Sequence, residues 1–398
     1  MFCVKIVLRL ARFSAVVAPL VFSRGAFAAD VFTPVIASTL ASETRAVYGT
    51  DQKFHVIYEL QLSNTKNVPA TIQAIDVLDG GDSAHAIVSY SGPEIVEHLR
   101  TLAPEPASDA IIEPNGARLF YIELAFDKTA RIPSSLQHRL HLTGAANPGP
   151  AEAKPLDYIV APFQIAQAKP VVIAPPLDGK GWVAVNGCCN DDIVHRGSVL
   201  SVNGRFYDAQ RFAIDWMQMD EQGRFVHGDA SKVENFTSYG AEVHAVTDGT
   251  VVSMLDTLDD QPPGKLPEPS SITIETVDGN HVVIDIGGGC FAFYAHLQKD
   301  SVKVHVGDTV KKGAVLGKLG NSGNTSAPHL HFHIMNAASV LASDGLPYVF
   351  DAFHLAGEIE LEMFNAAPGV EGDWSKGRFD ETQPRQREFP LNLNVIDF

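Results

Sequence analysis

The stretch Gly320-Asn321-Ser322-Gly323-Asn324-Thr325-Ser326-Ala327-Pro328-His329-Leu330-His331-Phe332-His333 decides how this chain reads. Its last five residues alternate imidazole with Leu and Phe. Side chains on a β-strand point to opposite faces in turn, so His329, His331 and His333 project from one side of a strand and can converge on one point. Neutral imidazole is the commonest metal ligand, and imidazoles lined up in this way suit a zinc site. Asn324 and Ser326 shape the loop that leads into the strand.

Outward from that strand, the same half of the chain reads as further strands. Asn203-Gly204, Asp248-Gly249 and Asp278-Gly279-Asn280 are turn signals, and Val282-Val283-Ile284 is a β-branched run. Residues 259–269 form a Pro-rich surface loop, and Leu391, Leu393 and Val395 alternate in a closing strand. The N-terminal half alternates as well. Phe54, Val56, Tyr58, Leu60 and Leu62 face one way, as do Phe120, Ile122, Leu124 and Phe126, giving a half-buried sheet broken by turn stretches at 63–67 and 113–116. This pattern predicts an antiparallel sandwich of immunoglobulin-like type. His55, His85, His98, His138 and His141 are scattered through it without forming a cluster.

Prolines at 148, 150, 155, 162, 170, 175 and 176 stiffen the connection between the halves. Helical periodicity is weak throughout. The expected fold class is therefore all-β, with a signal peptide over residues 1–29, a sandwich over 30–165, a Pro-rich linker and lead-in over 166–200, a second β domain over 201–350 and an extension over 351–398.

The formal net charge of -17, with no long Lys/Arg cluster, excludes a duplex nucleic-acid binder, which needs a basic footprint to neutralise phosphates. Lys5, Arg9 and Arg12 precede the apolar run from Phe13 to Phe22, and Ala26-Phe27-Ala28 is a small-residue cleavage site. The run is shorter than the roughly 20 residues a membrane-spanning helix needs, so it reads as a cleaved export signal that leaves no transmembrane anchor. Cleavage removes Cys3 and leaves Cys188, Cys189 and Cys290. Adjacent cysteines rarely bridge each other, so the expected disulfide joins Cys188 or Cys189 to Cys290.

The combination resembles the lysostaphin-type (M23) zinc endopeptidases, whose signatures include H-x-x-x-D, Y-x-H-L and a terminal H-L-H-F strand. Tyr294-Ala295-His296-Leu297 matches the second signature and His329-Leu330-His331-Phe332 the third. Tyr239 through Val243, Asp248-Gly249-Thr250-Val251 and the glycine-punctuated strands between Val306 and Gly317 agree with the family pattern, over roughly Arg205 to Ile334 in all. The resemblance implies a lysostaphin-type antiparallel sheet over 201–350, a zinc ion (Zn2+) held in part by Asp215 and His331, and His296 and His329 as catalytic residues beside it.

One signature departs. The first element reads Arg211-Phe212-Ala213-Ile214-Asp215, with Arg211 where the family has a ligand histidine. A guanidinium stays protonated and has no lone pair for a metal. His195, ahead of a hairpin that runs into Asp215, is the first candidate to complete the set. His281, His333, His227 and Cys189 are alternatives, and His281 could equally line a substrate groove. A fork from Arg211 to Asp215 would instead replace the zinc electrostatically. The first case implies an exported zinc metalloendopeptidase hydrolysing peptidoglycan peptide bonds in the periplasm or cell envelope. The second implies an inactive envelope protein that binds peptidoglycan or activates a partner hydrolase, and zinc content separates the two.

Overall fold

In the computed structural model, residues 31–146, 152–190, 193–366 and 371–398 are described, and the expected signal segment lies outside them. Residues Thr33–Phe398 form one compact unit. Nearly all of the regular structure is β, as the turn-punctuated alternation predicts. No helix among the described residues is long and apolar enough to cross a membrane.

The N-terminal half is built from β1 (Val35–Thr39), β2 (Lys53–Asn64), β3 (Ala70–Asp79), β4 (Asp82–Ser91), β5 (Ala117–Asp127), β6 (Ser135–Gly144) and β7 (Lys154–Ile165). One sheet pairs β1, β2 and β5, and a second runs β7, β6, β3, β4. Between them lies a core of Val56, Tyr58, Leu60 and Leu62 from β2 and Phe120, Ile122 and Leu124 from β5, against Ile75, Val77, Leu136, Leu140 and Leu142. The inward residues are those the period-2 alternation selects.

The opposite face of β2 differs from the half-buried reading. Ile57 belongs to the core of the second half, with Phe212, Trp216 and Tyr348, and Glu59 is 0% exposed. One strand thus serves two cores, and a carboxylate that alternation assigns to solvent is sealed inside.

His138 on β6 is also fully buried. Its Nδ1–H donates to the Ala161 carbonyl (2.9 Å), and its Nε2 lies 2.7 Å from the Tyr58 hydroxyl. Burial pulls its pKa from 6.5 down to about 4, against the help of the Ala161 and Val160 carbonyls. In this range the unfolded chain binds the proton more readily than the folded one. Stability is therefore expected to fall as pH drops from about 6.5 towards 4, by on the order of 3 kcal/mol in total. Denaturant melts of His138→Gln across the same range should lose most of that slope.

The second half is an antiparallel sheet formed by β8 (Trp182–Val185), β9 (Ile214–Gln218), β10 (Gly249–Leu255), β11 (Asn280–Gly287), β12 (Cys290–Leu297), β13 (Leu330–Met335), β14 (Phe353–Glu358), β15 (Arg378–Arg385) and β16 (Asn394–Asp397). Their spatial order is β10, β11, β12, β13, β9, β8, β16, β14, β15. The sheet therefore draws strands from 182–185 and from 353–397, on both sides of 201–350. The alternating C-terminal stretch pairs only from Asn394 onward, because Leu393 takes a positive φ of 62° just before it.

The disulfide expectation is corrected. Cys188 and Cys189 bridge each other, and Cys290 is free and buried. Cys290 ends the β11–β12 hairpin in a cavity with Arg45, whereas the bonded pair lines a different cavity with His55.

Candidate metal centre

Strand register brings the first two site residues together. β9 and β13 pair antiparallel with Asp215 opposite His331, and β12 pairs with β13 so that Ala295 lies opposite His331, next to His296. His331 Nδ1 is 2.9 Å from Asp215 Oδ1. The same oxygen lies 3.3 Å from His195 Nε2 and 3.2 Å from His329 Nε2. Sequence reasoning reached His195 through a hairpin that would fold back on Asp215, and the structure places it there. The ring sits in the turn after Cys189, 4.8 Å centroid to centroid from that of His331.

Backbone carbonyls fix the tautomers. His195 Nδ1–H donates to the carbonyls of Asn186 (2.8 Å) and Ala213 (3.0 Å), His329 Nδ1–H to Ala327 (2.7 Å) and His296 Nδ1–H to Ser322 (2.8 Å). Carbonyls only accept, so in each neutral ring the lone pair is on Nε2. His195 and His329 turn those lone pairs towards an ionised carboxylate oxygen. Burial pushes the Asp215 pKa up, but His195 and His329, when their Nε2 atoms carry protons, outweigh it and hold the group well below the usual range. Lone pairs facing a carboxylate repel each other unless a cation or proton lies between them.

The donor set therefore fits a metal ion. His195, Asp215 and His331 each offer an atom within 4.8 Å of the others, and His296, His329 and His331 form an overlapping group. Burial is the main cause that lowers the His331 pKa, to about 4, which keeps the ring neutral as a ligand must be. His331 Nε2 is 3.0 Å from His333 Nδ1. With a metal on Nδ1, His331 would carry its proton on Nε2 and donate it to His333, which would hold that tautomer. His333 is thus a support behind the ligand and lies outside both donor groups.

The other candidates lie elsewhere. His281 donates from Nδ1 to Gly279 (3.0 Å) and sits across Phe293 from the histidine cluster. His227 pairs with Asp220 at 3.2 Å on the surface. Cys189 is grouped with His55 and Glu123, and its sulfur is bonded to Cys188, so it has no thiolate to offer. The Arg211–Asp215 fork is absent. Arg211 turns the other way and donates to Glu59 of β2 through Nε (3.1 Å) and Nη2 (2.6 Å). Asp215 Oδ2 instead accepts from Asn186 Nδ2 at 2.8 Å. Asn186 was missed because Asn186-Gly187 reads as turn chemistry alone. It has a positive φ of 55°, and this conformation sends its carbonyl to His195 and its amide to Asp215.

His296 is aimed by a bulge. Asn280 faces Leu297 but Val282 faces Tyr294, so Ala295 and His296 share one position of the partner strand, and His296 adopts φ 61°. Bulges re-aim side chains beside functional sites. The carbonyl that holds its ring is set by a close approach. Gly279 has φ 65°, and a Cβ there would come within 2.1 Å of the Ser322 oxygen. Gly279→Ala is expected to displace Ser322, destabilise the chain by about 1–3 kcal/mol and reduce activity out of proportion to the folded fraction. Thermal melts beside turnover of the surviving protein will check this.

The profile of peptidase family M23 matches residues 231–342. Over 128 residues the chain is 32% identical to the glycyl-glycine endopeptidase ALE-1 of Staphylococcus capitis, covering 31% of this chain and 30% of the relative. Over 58 residues it is 38% identical to the peptidoglycan DD-endopeptidase ShyC of Vibrio cholerae, covering 15% of this chain and 13% of the relative. The chain thus spans less than a third of the length of these relatives. The solved catalytic domain of lysostaphin from Staphylococcus simulans aligns at 23% identity and a TM-score of 0.22, covering 37% of this chain and 80% of that one. The family match contains His296, His329 and His331 but begins after Asp215 and His195. Residues 231–342 of this chain are a domain of peptidase family M23.

Proposed function

We propose that this chain is an exported zinc metalloendopeptidase that cleaves peptide bonds in peptidoglycan, working in the periplasm or cell envelope. The observation that carries the reading is the convergence of His195 Nε2, Asp215 Oδ1 and His331 Nδ1 on one buried point beside two further histidines. His195, Asp215 and His331 would hold the metal. When bound, zinc polarises a peptide carbonyl and lowers the pKa of a bound water. The peptidoglycan assignment draws support from the activities of ALE-1 and ShyC.

The rest is done by the protein's own groups. His296 and His329 have their Nδ1 protons committed to carbonyls, so each neutral ring presents Nε2 as an acceptor. Each can therefore take a hydrogen bond from an attacking water and orient it. Only after accepting that proton can either ring hydrogen-bond to the oxyanion, and the same proton then passes to the departing amine as the C–N bond breaks and the carboxylic acid forms. Asp215 pulls the His329 pKa upward against burial. His296 is pushed well below 6.5 by burial and by its neighbours His329 and His331.

Arg211 could have favoured the inactive reading, but its guanidinium is engaged with Glu59 and leaves Asp215 to the histidines. The test is release of free amines from purified peptidoglycan by the mature chain, before and after chelation and with zinc restored. Activity lost on chelation and regained with zinc supports the reading. A zinc-loaded chain that releases nothing refutes it.

A further inference from the structure

The segment that delivers His195 is fastened to the N-terminal sandwich by one buried carboxylate. Arg196, the next residue, is 1% exposed, and its Nη2 lies 3.3 Å from Glu59 Oε1. Its guanidinium also lies over the Tyr121 ring, 5.2 Å from the centroid, and donates from Nη1 to the Cys189 carbonyl at 3.3 Å. Tyr121 stands directly opposite Glu59 in the β2–β5 pair. Three residues further on, Val199 packs with Leu119 and Tyr121 of β5. The His195 turn therefore rests on the sandwich through Arg196 and Val199.

Glu59 makes a second connection. Its other oxygen accepts from Arg211, four residues before Asp215, and Arg211 also lies 3.5 Å from Asp208 and from Asp344. Burial pushes the Glu59 pKa up, but the Arg211 and Arg196 guanidiniums outweigh it and keep the group ionised. Asp208 has no such surplus. Burial raises it well above the usual range despite Arg211, so the firm ion pairs of the two guanidiniums are those with Glu59. A buried charge with two opposite partners holds both at fixed positions, since moving either leaves an uncompensated charge in a dry interior.

We infer that Glu59 is a positioning residue for the metal centre: through Arg196 it fixes the turn carrying His195, and through Arg211 the approach to Asp215, so the sandwich completes the metal site. Arg211, where the family has a ligand, here holds the approach to Asp215, while Arg196 holds the turn that supplies the replacement. The inference rests on the metal-site reading proposed above.

The test is titration of the metal-free full chain with Co2+ and Zn2+, recording affinity and the cobalt d–d spectrum, for wild type, Glu59→Gln, Arg196→Gln and Leu140→Ala. Supporting groups around ligands typically change metal affinity by about 10- to 100-fold. Glu59→Gln and Arg196→Gln should weaken binding by this much and alter the cobalt spectrum. Leu140→Ala, a truncation in the sandwich core, should lower the melting temperature and leave affinity within about twofold. Wild-type affinity and spectrum in Arg196→Gln would overturn the inference, whether or not Glu59→Gln folds. An equal loss in Leu140→Ala would also overturn it, since general loosening would then explain the effect. Failure of the wild type to bind either metal would instead refute the metal-site reading itself.

Discussion

His195→Ala and His331→Ala are each expected to purify without metal where the wild type retains about one zinc per chain, and to lose peptidase activity below detection. Removing one of three donors costs about 3 kcal/mol or more of binding free energy, a loss on the order of a hundredfold or greater. The two variants should behave alike because both rings face the same carboxylate oxygen. His281→Ala and His227→Ala supply the contrast. Their rings are engaged with Gly279 and Asp220, so metal content should be unchanged. Zinc retained in His195→Ala would remove that residue from the set and leave the His296, His329, His331 group as the donors.

The second large effect runs against family resemblance. Arg211→His restores the histidine expected four residues before Asp215, yet the chain should become less stable by about 3–5 kcal/mol. The shorter ring gives up the paired hydrogen bonds to Glu59 and leaves that carboxylate buried with Arg196 alone. Total stability for a folded domain is about 5–15 kcal/mol, so much of the reserve would be spent at this one position. Denaturant melts of the metal-free proteins measure it directly. Unchanged stability in Arg211→His would mean that the Glu59 fork contributes little.

Much of the centre was legible in the sequence because it lies on strands. The period of two placed His329, His331 and His333 on one face, and the β9–β13 register then set Asp215 opposite His331. His195 was within reach because the chain between it and Asp215 is short and contains a hairpin. Alternation did not separate His331 from His333. They share a face, but β13 is buried throughout and only the ring nearer Asp215 reaches the site, while His333 stacks behind it.

What was not legible depends on contacts between distant parts of the chain. The route from Arg211 to Glu59 spans 152 residues, and no local pattern shows where a guanidinium turns. The strained ring that adjacent cysteines close also argued for pairing Cys188 or Cys189 with Cys290, but the fold keeps Cys290 in a separate cavity from the bonded pair. Strand β2 displayed the alternation of a sheet with one wet face because its inward residues are apolar. Its other face carries Ile57 and Glu59, which only the packed second half shows to be covered.

A strand with both faces covered also limits what heredity can move. A gene fragment encoding only residues 231–342 would carry His296, His329 and His331 into a new protein without Asp215 or His195. Extending the fragment upstream to include both would still leave behind Glu59 and uncover the apolar surface beneath Ile57. The smallest heritable cassette that transfers the whole histidine–aspartate cluster with its support is therefore nearly the whole of Thr33–Phe398. Recombination inside it would part the histidine strand from His195 and Asp215.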